Sequence, residues 1–186
     1  AADGGFVFCE GASSESESDP LPAAFGASEL GDGTIIETRP GAQTLVQMLA
    51  SRAEAAPVAA LIVDYGHAES GAGDTLQAVR AHRYANPLAA PGEADLTAHV
   101  DFAALKQTAV ELGLSTFGPM QQGEFLLRLG LEARFERLSR DATEAQKDAL
   151  LSGAARLADP RQMGALFKVL VVQSSGLAPP PPFGDI

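Results

Sequence analysis

The chain has 186 residues, 46% of them hydrophobic and 20% charged, a composition that allows one domain with a full core. Its formal net charge of −11 argues against nucleic-acid binding, because phosphate recognition needs clustered lysine and arginine. A single cysteine excludes an internal disulfide, and no run approaches the roughly 20 apolar residues that cross a bilayer.

The N-terminal stretch "GFVFCE" predicts a short strand around Phe6 to Phe8, with Cys9 as a small buried residue beside it. Residues 11–22 are rich in serine, glutamate and proline, a composition that buries too little apolar surface to hold one conformation. We expect a flexible acidic loop there.

Two strands and a helix are predicted between residues 34 and 67. A β-branched run at 34–38 is typical of a strand, and Pro40 is placed to begin a helix that Pro57 ends. The next stretch, "VAALIVDYGH", has six apolar residues before its polar end, which predicts a strand buried on both faces.

The polar end of this strand contains two candidate site residues, Asp64 and His67. Ligands of open α/β sheets bind at the carboxyl ends of such strands, which favours a functional role. An aspartate that ends a strand is also an ordinary turn former, so both interpretations of Asp64 remain open.

The following stretch, "GAGDTLQAVRAHRY", begins with G-x-G but does not fit a nucleotide-binding loop, since Leu76 stands where the third glycine would be. A flexible turn is the better interpretation. Residues 75–84 fit a strand or a helix, and they contain a compact basic group formed by Arg80, His82 and Arg83.

The stretch "ADLTAHVDF" places His99 close to Asp101, as in a catalytic cluster. Residues 101–113 predict a helix with Asp101 as its N-cap, so this aspartate has a structural role available. His99 is either a hydrogen-bonded packing residue or a proton acceptor. The three histidines show no ligand spacing, and no metal site is expected.

The C-terminal third predicts a short strand, a Gly-Pro turn and a helix near Gln122 that is broken at Gly130. Amphipathic helices follow, the second with a capping box at Thr143 and Gln146. The helices of 121–158 either build core or form a lid or groove for a protein substrate. "ALFKVLVVQ" predicts a last buried strand, and an extended proline-rich tail follows it.

The predicted order of strands and helices favours an α/β fold. Three or four strands make a thin sheet, and the strand at 58–65 needs neighbours on both edges. The pattern therefore predicts part of a larger sheet.

Five stretches, in this order and spacing, resemble one family: "ALIVDYGH", "GDTLQAVRAHR", "ADLTAHVDFAAL", "GPMQQGEFLLRLG" and "MGALFKVL". They are similar to the C-terminal half of the MidA-type S-adenosylmethionine-dependent methyltransferases. The resemblance covers nearly all of residues 6–183, and five motifs in sequence make it specific.

The resemblance implies a class I, Rossmann-like methyltransferase sheet of seven strands with inserted helices. Residues 60–67 would be its fifth strand, residues 114–117 would lie near its sixth, and 166–173 would be its seventh. The glycine-rich loop and the ribose-binding acid belong to the first four strands, which would precede residue 1. Residues 1–186 are then the substrate-side portion of the domain.

The family includes the mitochondrial assembly factor that methylates an arginine on a complex I subunit. This implies S-adenosylmethionine as cofactor and a protein substrate, although the chain alone is not expected to bind the cofactor. Its partners would be the missing N-terminal half, or a separate chain that supplies it, and a respiratory complex I subunit. The location would be the mitochondrial matrix in a eukaryote and the cytoplasm in a bacterium.

Within that chemistry, Asp64 or Asp101 would orient a substrate guanidinium, because arginine and carboxylate form bidentate pairs. His67 or His99 would accept the proton. Gln122 matches the glutamine of the family's Gln-Gly pair and would hydrogen-bond a substrate or cofactor carboxylate, or else only cap its helix. The alternative function is a non-catalytic binding or assembly module that retains this half of the family fold.

Overall fold

The computed structural model describes residues 5–9 and 31–184. The chain forms two compact units, the first made of residues 1–40 and 70–99 and the second of residues 41–69 and 100–186. The described part of the chain contains no helix that is long and apolar enough to span a membrane.

The helices are α1 (Pro40–Ala55), α2 (Phe102–Glu111), α3 (Gln122–Arg128), α4 (Leu131–Ser139), α5 (Glu144–Ala158) and α6 (Met163–Leu166). The strands are β1 (Ala59–His67), β2 (Gln77–Arg80), β3 (Arg83–Ala85), β4 (Asp95–Thr97), β5 (Val100–Asp101), β6 (Ser115–Gln121) and β7 (Phe167–Gln173). The α/β class expected from the sequence is confirmed.

The second unit is built on a four-stranded sheet in the order β5-β1-β7-β6. Strand β1 pairs in parallel with β5, whereas β7 runs antiparallel to both of its neighbours, β1 and β6. Strands β1, β5 and β6 therefore point in one direction and β7 in the other. The carboxyl ends of β1, β5 and β6 therefore lie at the same end of the sheet as the first residue of β7.

Helices α1 and α2 cover one face of this sheet. Their apolar sides contribute Val46, Phe102 and Leu105 to a core that also contains Leu170 and Val172 of β7, all at most 3% exposed. Burial of large apolar side chains of this kind is the main term that stabilises a fold. The predicted helices at Pro40 and after Asp101 are thus confirmed, and both are needed to close the core.

The other face of β1 is exposed at Leu61 (57%) and Val63 (43%). The prediction that this strand is buried on both faces is therefore wrong for this chain. Side chains alternate along a strand, and no described element of the second unit covers these alternate positions. The edge of β1 is also open, because β5 pairs only with Gly66 and His67 at its end.

The first unit contains a three-stranded antiparallel sheet in the order β3-β2-β4. Strands β2 and β3 form a hairpin whose two turn residues, Ala81 and His82, both have positive φ angles of 49° and 61°. Such a turn matches the twist of the flanking strands. The stretch 75–84, which fitted a strand or a helix, therefore forms strands. Its basic group lies at the tip of the hairpin, where Arg80 forms an ion pair with Glu93 at 2.8 Å.

Two predicted strands in the first forty residues are wrong. Phe6 and Phe8 lie in an exposed segment that forms no strand, Cys9 beside them is exposed rather than buried, and residues 34–38 also lack strand pairing. A β-rich composition makes a strand only where a neighbouring strand satisfies its backbone, and no described strand does so here. The acidic loop expected at 11–22 lies outside the described residues.

Three details near the C-terminus also differ from expectation. Gly118 and Pro119 lie within β6, at an irregularity of its pairing with β7, rather than in a turn between elements. Residues 163–166 form α6 before β7 begins. The proline-rich tail folds back, because the ring of Phe183 packs against Phe117 and Phe125.

The close approach at Gly66 gives a direct test of the β1–β5 pairing. A Cβ atom at Gly66 would lie 2.1 Å from the carbonyl oxygen of Val100, so we expect Gly66→Ala to displace β5 and to destabilise the chain by about 2 kcal/mol or more. Gly41→Ala in α1 is the matched control, since nothing lies within 4 Å of its added methyl group. Thermal unfolding of the two variants checks this, and equal stability would contradict the close approach.

Candidate functional site

The candidate site lies at the carboxyl end of β1. The absence of a side chain at Gly66 lets the backbone of Val100 approach, and the parallel register then sets His67 beside Asp101. Two residues that are 34 positions apart in sequence become neighbours through this pairing. The sequence named both as candidates, and the structure brings them together.

Asp101 has two structural contacts. Its Oδ1 accepts a hydrogen bond from the backbone N–H of Ala104 at 2.9 Å, which makes it the N-cap of α2, as predicted. Its Oδ2 lies 3.7 Å from Nε2 of His67. The carboxylate is mostly buried and the imidazole is one-third exposed, so the histidine has the more accessible face of this pair.

Asp64 lies on the same strand, three residues before His67. Its Oδ1 accepts a hydrogen bond from the backbone N–H of Tyr65 at 2.8 Å, and its partner across the sheet is Lys168 of β7. Asp64 is partly exposed, so the carboxylate combines a local backbone contact with access to solvent.

Lys168 was not recognised from the sequence, although a lysine inside the apolar run "LFKVLVV" is a signal in itself. Its ammonium group donates hydrogen bonds to the carbonyl oxygens of Gly66, Ala165 and Leu166 at 3.0, 2.5 and 3.2 Å. Burial lowers the pKa of this lysine. Lys168 thus joins the end of β1 to the end of α6, and a cation at a helix C-terminus is electrostatically favourable.

The side chain of Gln122 contacts the end of α5 and not the carboxyl end of β1. Its side chain is buried, and its Nε2 donates to the carbonyl oxygen of Leu157 at 2.8 Å. The backbone at Gly123 and Gly164 packs closely on the carbonyl of Ala158, where an added Cβ would lie only 2.4 and 2.1 Å away. The Gln-Gly pair therefore has a packing function: the amide and the bare backbone hold the end of α5.

His99 belongs to the first unit, where its backbone is held from two sides. Its N–H donates to Oγ1 of Thr75 at 2.9 Å, and its carbonyl oxygen accepts from the guanidinium of Arg39 at 3.3 Å. Glu37 binds both of these partners, through the backbone and hydroxyl of Thr75 and through an ion pair with Arg39 at 2.9 Å.

Glu37 is the second residue that sequence reasoning missed. Burial by itself would raise the pKa of Glu37, but the hydrogen bonds from Thr75 and the contact with Arg39 outweigh it, and the pKa is lowered. The ionised carboxylate therefore connects Thr75, 38 residues away, with Arg39, whose guanidinium in turn donates to the carbonyl oxygen of His99, 60 residues further along the chain. Across residues 5–9 and 31–184, no group of three or more acidic, histidine or cysteine side chains is arranged to hold a metal ion.

Residues 1–120 match the model of a protein family described as "Putative S-adenosyl-L-methionine-dependent methyltransferase", which is more than half of the chain. The chain belongs to this family. It is the MidA-type family that the five sequence stretches indicated, and the open α/β sheet with its antiparallel β7 agrees with the Rossmann-like fold of class I methyltransferases.

Curated relatives of this methyltransferase family have informative names. The chain is 42% identical over 134 residues to the mitochondrial protein arginine methyltransferase NDUFAF7 homolog of Drosophila melanogaster. It is 38% identical to the mouse protein arginine methyltransferase NDUFAF7 and 35% identical to the human one, each over 133 residues. These matches cover 71 to 72% of this chain but only 30% of each relative.

Two crystal structures of COG1565 superfamily proteins from Burkholderia thailandensis have a similar fold. Each has a TM-score of 0.62 and 29% identity, and each match covers 72% of this chain and 37% or 36% of the solved one. One of these proteins is bound to S-adenosyl-homocysteine. This chain therefore spans about a third of the length of the relatives it matches.

Two substitutions at Asp101 separate the contribution of its N-cap hydrogen bond to stability from that of its charge. We expect Asp101→Ala to destabilise the chain by about 1 kcal/mol, because the first turn of α2 loses its acceptor, whereas Asp101→Asn keeps the cap and costs little. Chemical denaturation of both variants at neutral pH measures the difference. Equal losses in the two variants would show that the cap contributes nothing.

Glu37 predicts a pH dependence of stability. Its lowered pKa means that the ionised form stabilises the fold at pH values above the ordinary glutamate range and that this contribution is lost as pH falls through the folded-state pKa. We expect Glu37→Gln to cost about 1 to 2 kcal/mol at pH 7, with the gap to the unsubstituted chain closing below about pH 4. Thermal unfolding across this range checks it, with exposed Glu54→Gln as control; a pH-independent gap would contradict it.

Proposed function

We propose that this chain is the substrate-side portion of an S-adenosylmethionine-dependent protein methyltransferase that acts on arginine. Family membership supports methyl transfer, and the names of the curated relatives support arginine as the acceptor. The observation that carries the proposal is the sheet of the second unit. Its antiparallel β7 lies between β1 and β6, while the far edge of β1 is open and its Leu61 and Val63 are exposed.

An open parallel edge with an exposed apolar face is an incomplete sheet. Parallel strands are normally covered on both faces, so a further parallel strand and an overlying helix are expected to complete β1. In our proposal the region that supplies them also supplies the cofactor site. The part of relatives not covered by this chain, about two thirds of their length, is large enough for this.

In our proposal the residues of this chain do not form a complete cofactor site by themselves. Neither G-x-G of the chain, at Gly31 and Gly33 or at Gly71 and Gly73, lies at the start of a helix, so both lack the helix N-terminus on which a nucleotide-binding loop depends. S-adenosylmethionine, bound by the completed protein, would supply an activated methyl group. The role proposed for the residues of this chain is to hold the acceptor.

The acceptor side is acidic, which suits a cationic guanidinium. Asp64 is partly exposed and would pair with the guanidinium through its carboxylate, since such pairs are charge-assisted and directional. Asp101 is already occupied by Ala104 and lies near His67, so in this proposal its role is to orient the histidine. Alignment of the attacking nitrogen with the methyl group is the main contribution that a protein makes to such an in-line displacement.

His67 is the proposed proton acceptor. When the guanidinium nitrogen forms its new C–N bond, the C–S bond of the methyl donor breaks, and one nitrogen-bound proton must leave. The imidazole of His67 is one-third exposed and its Nε2 lies 3.7 Å from Oδ2 of Asp101, so it is placed to take that proton. His99 stays a weaker candidate for this step, and Gln122 stays one for substrate binding only if its contact with Leu157 opens.

The biological setting belongs to the same proposal. The relatives are named as mitochondrial proteins, so we propose a protein substrate among the subunits of respiratory complex I, with the mitochondrial matrix as the location in eukaryotes and the cytoplasm in bacteria.

Cofactor binding tests the proposal that the remaining region holds the cofactor and this chain holds the acceptor. Titration calorimetry of S-adenosyl-homocysteine into this chain should give no binding heat, whereas a complete family member should bind it. Measurable affinity for the chain alone would show that our assignment of the cofactor site to the remaining region is wrong. A complete protein that contains this sequence but does not bind would favour the alternative, a non-catalytic assembly module.

The acceptor residues are tested in a complete, active family member that carries this segment. We expect Asp64→Asn and His67→Gln each to lower arginine methylation by about 100-fold or more, while cofactor binding is unchanged. The matched control is Asp148→Asn on the exposed side of α5, which should retain activity. Full activity of either site variant would remove the corresponding residue from the mechanism.

A further inference from the structure

Helices α4 and α5 form a hairpin whose inner surface is not covered. Neither helix has a fully buried residue, although both carry large apolar side chains on one side. Between them lies an open groove of about 710 Å³, lined mainly by apolar residues that include Leu131, Phe135, Leu138, Leu150 and Leu157. Leu138 and Leu157 are 44% and 40% exposed. An exposed apolar surface of this kind is typical of a docking site.

Two opposite charges line the groove, one on α4 and one in the turn that follows it. Arg134 and Asp141 both line the groove, seven residues apart, with Phe135 and Leu138 between them. Neither charged side chain forms an ion pair with another residue in the described part of the chain. Helix α4 ends at Ser139, so Arg134 lies on the helix and Asp141 in the turn that follows it, and both line the groove beside the apolar residues.

This pattern is complementary to itself. If a second α4 is laid antiparallel in the groove with a two-fold axis near residue 138, Arg134 of one copy faces Asp141 of the other, and the reverse pair follows by symmetry. The Phe135 and Leu138 side chains of both copies then meet near the axis. An occupant with an unrelated sequence would need to match the same charge order, whereas a second copy provides it.

The opposite wall of the groove leaves room for such a helix. Gly153 of α5 lines the groove, and nothing lies within 4 Å of the position that its Cβ would take. We propose that the α4–α5 groove is the interface of a symmetric homodimer, in which two hairpins pack as a four-helix arrangement. The surface lies apart from the open edge of β1, so this proposal does not depend on the proposed function.

Charge reversal is the first test, measured as the dimer dissociation constant by light scattering and sedimentation of the 186-residue chain. Arg134→Glu should weaken the dimer about tenfold or more, because it turns two attractive pairs into two repulsive ones. The double variant Arg134→Glu with Asp141→Arg restores opposite charges and should recover most of the affinity. Arg140→Glu changes the same charge on an exposed residue of the same segment outside the groove and should have little effect.

Filling the groove is the second test. Nothing lies within 4 Å of the Cβ position at Gly153, and leucine has a higher helix propensity than glycine, so Gly153→Leu should fold with equal or higher thermal stability and yet remain monomeric. Val63→Glu on the open face of β1 should leave the dimer intact. A chain that stays monomeric at high concentration would overturn the proposal, and so would a dimer that survives Arg134→Glu, is not rescued by the double variant, or is lost through Val63→Glu.

Discussion

The close contact between the backbones of Gly66 and Val100 is the constraint on which the candidate site depends. A side chain at residue 66 would prevent β5 from pairing with the end of β1. Without that pairing, Asp101 would not lie beside His67, and α2 would begin in a different place. One missing Cβ atom therefore links the start of a core helix to the only approach of a carboxylate and a histidine that the structure shows among the predicted site residues.

In the second unit, one face of the sheet is covered by helices, whereas β1 is exposed on its other face. Helices α1 and α2 close one face of its sheet around Phe102 and Leu170, whereas the outer face of β1 and its edge stay open. This asymmetry is expected if a further region completes the sheet. The residues proposed to hold the substrate lie at the carboxyl end of β1. Two contacts fix the backbone there: Asp101 caps α2, and the ammonium group of Lys168 donates a hydrogen bond to the carbonyl oxygen of Gly66.

Local signals in the sequence were enough to predict much of this structure. The N-cap at Asp101, the capping box at Thr143 and the helix stop at Gly130 depend on neighbouring residues only, and all three are present. Contacts between distant residues were not predictable in the same way. An apolar run such as that of β1 shows that a strand can be buried, but burial depends on neighbours that the run does not encode.

The same distinction applies to individual polar residues. Gln122 matches a family motif, yet its amide holds the end of α5, thirty-five residues later in the chain. Glu37 and Lys168 gain their importance from partners that only the folded chain brings near them. Residue type identified candidates for chemistry, whereas the contacts of Gln122, Glu37 and Lys168 with distant parts of the chain became visible only in the folded structure.

The central claim is that β1 is an inner strand of a larger methyltransferase sheet, left open in this chain. Hydrogen exchange of the β1 amides, compared between this chain and a complete family member that carries the same segment, tests it most directly. We predict that the amides on the open side of residues 59–63 exchange rapidly in this chain and become strongly protected in the complete protein. Equal exchange in both would contradict the claim, because it would mean that no further strand pairs with β1.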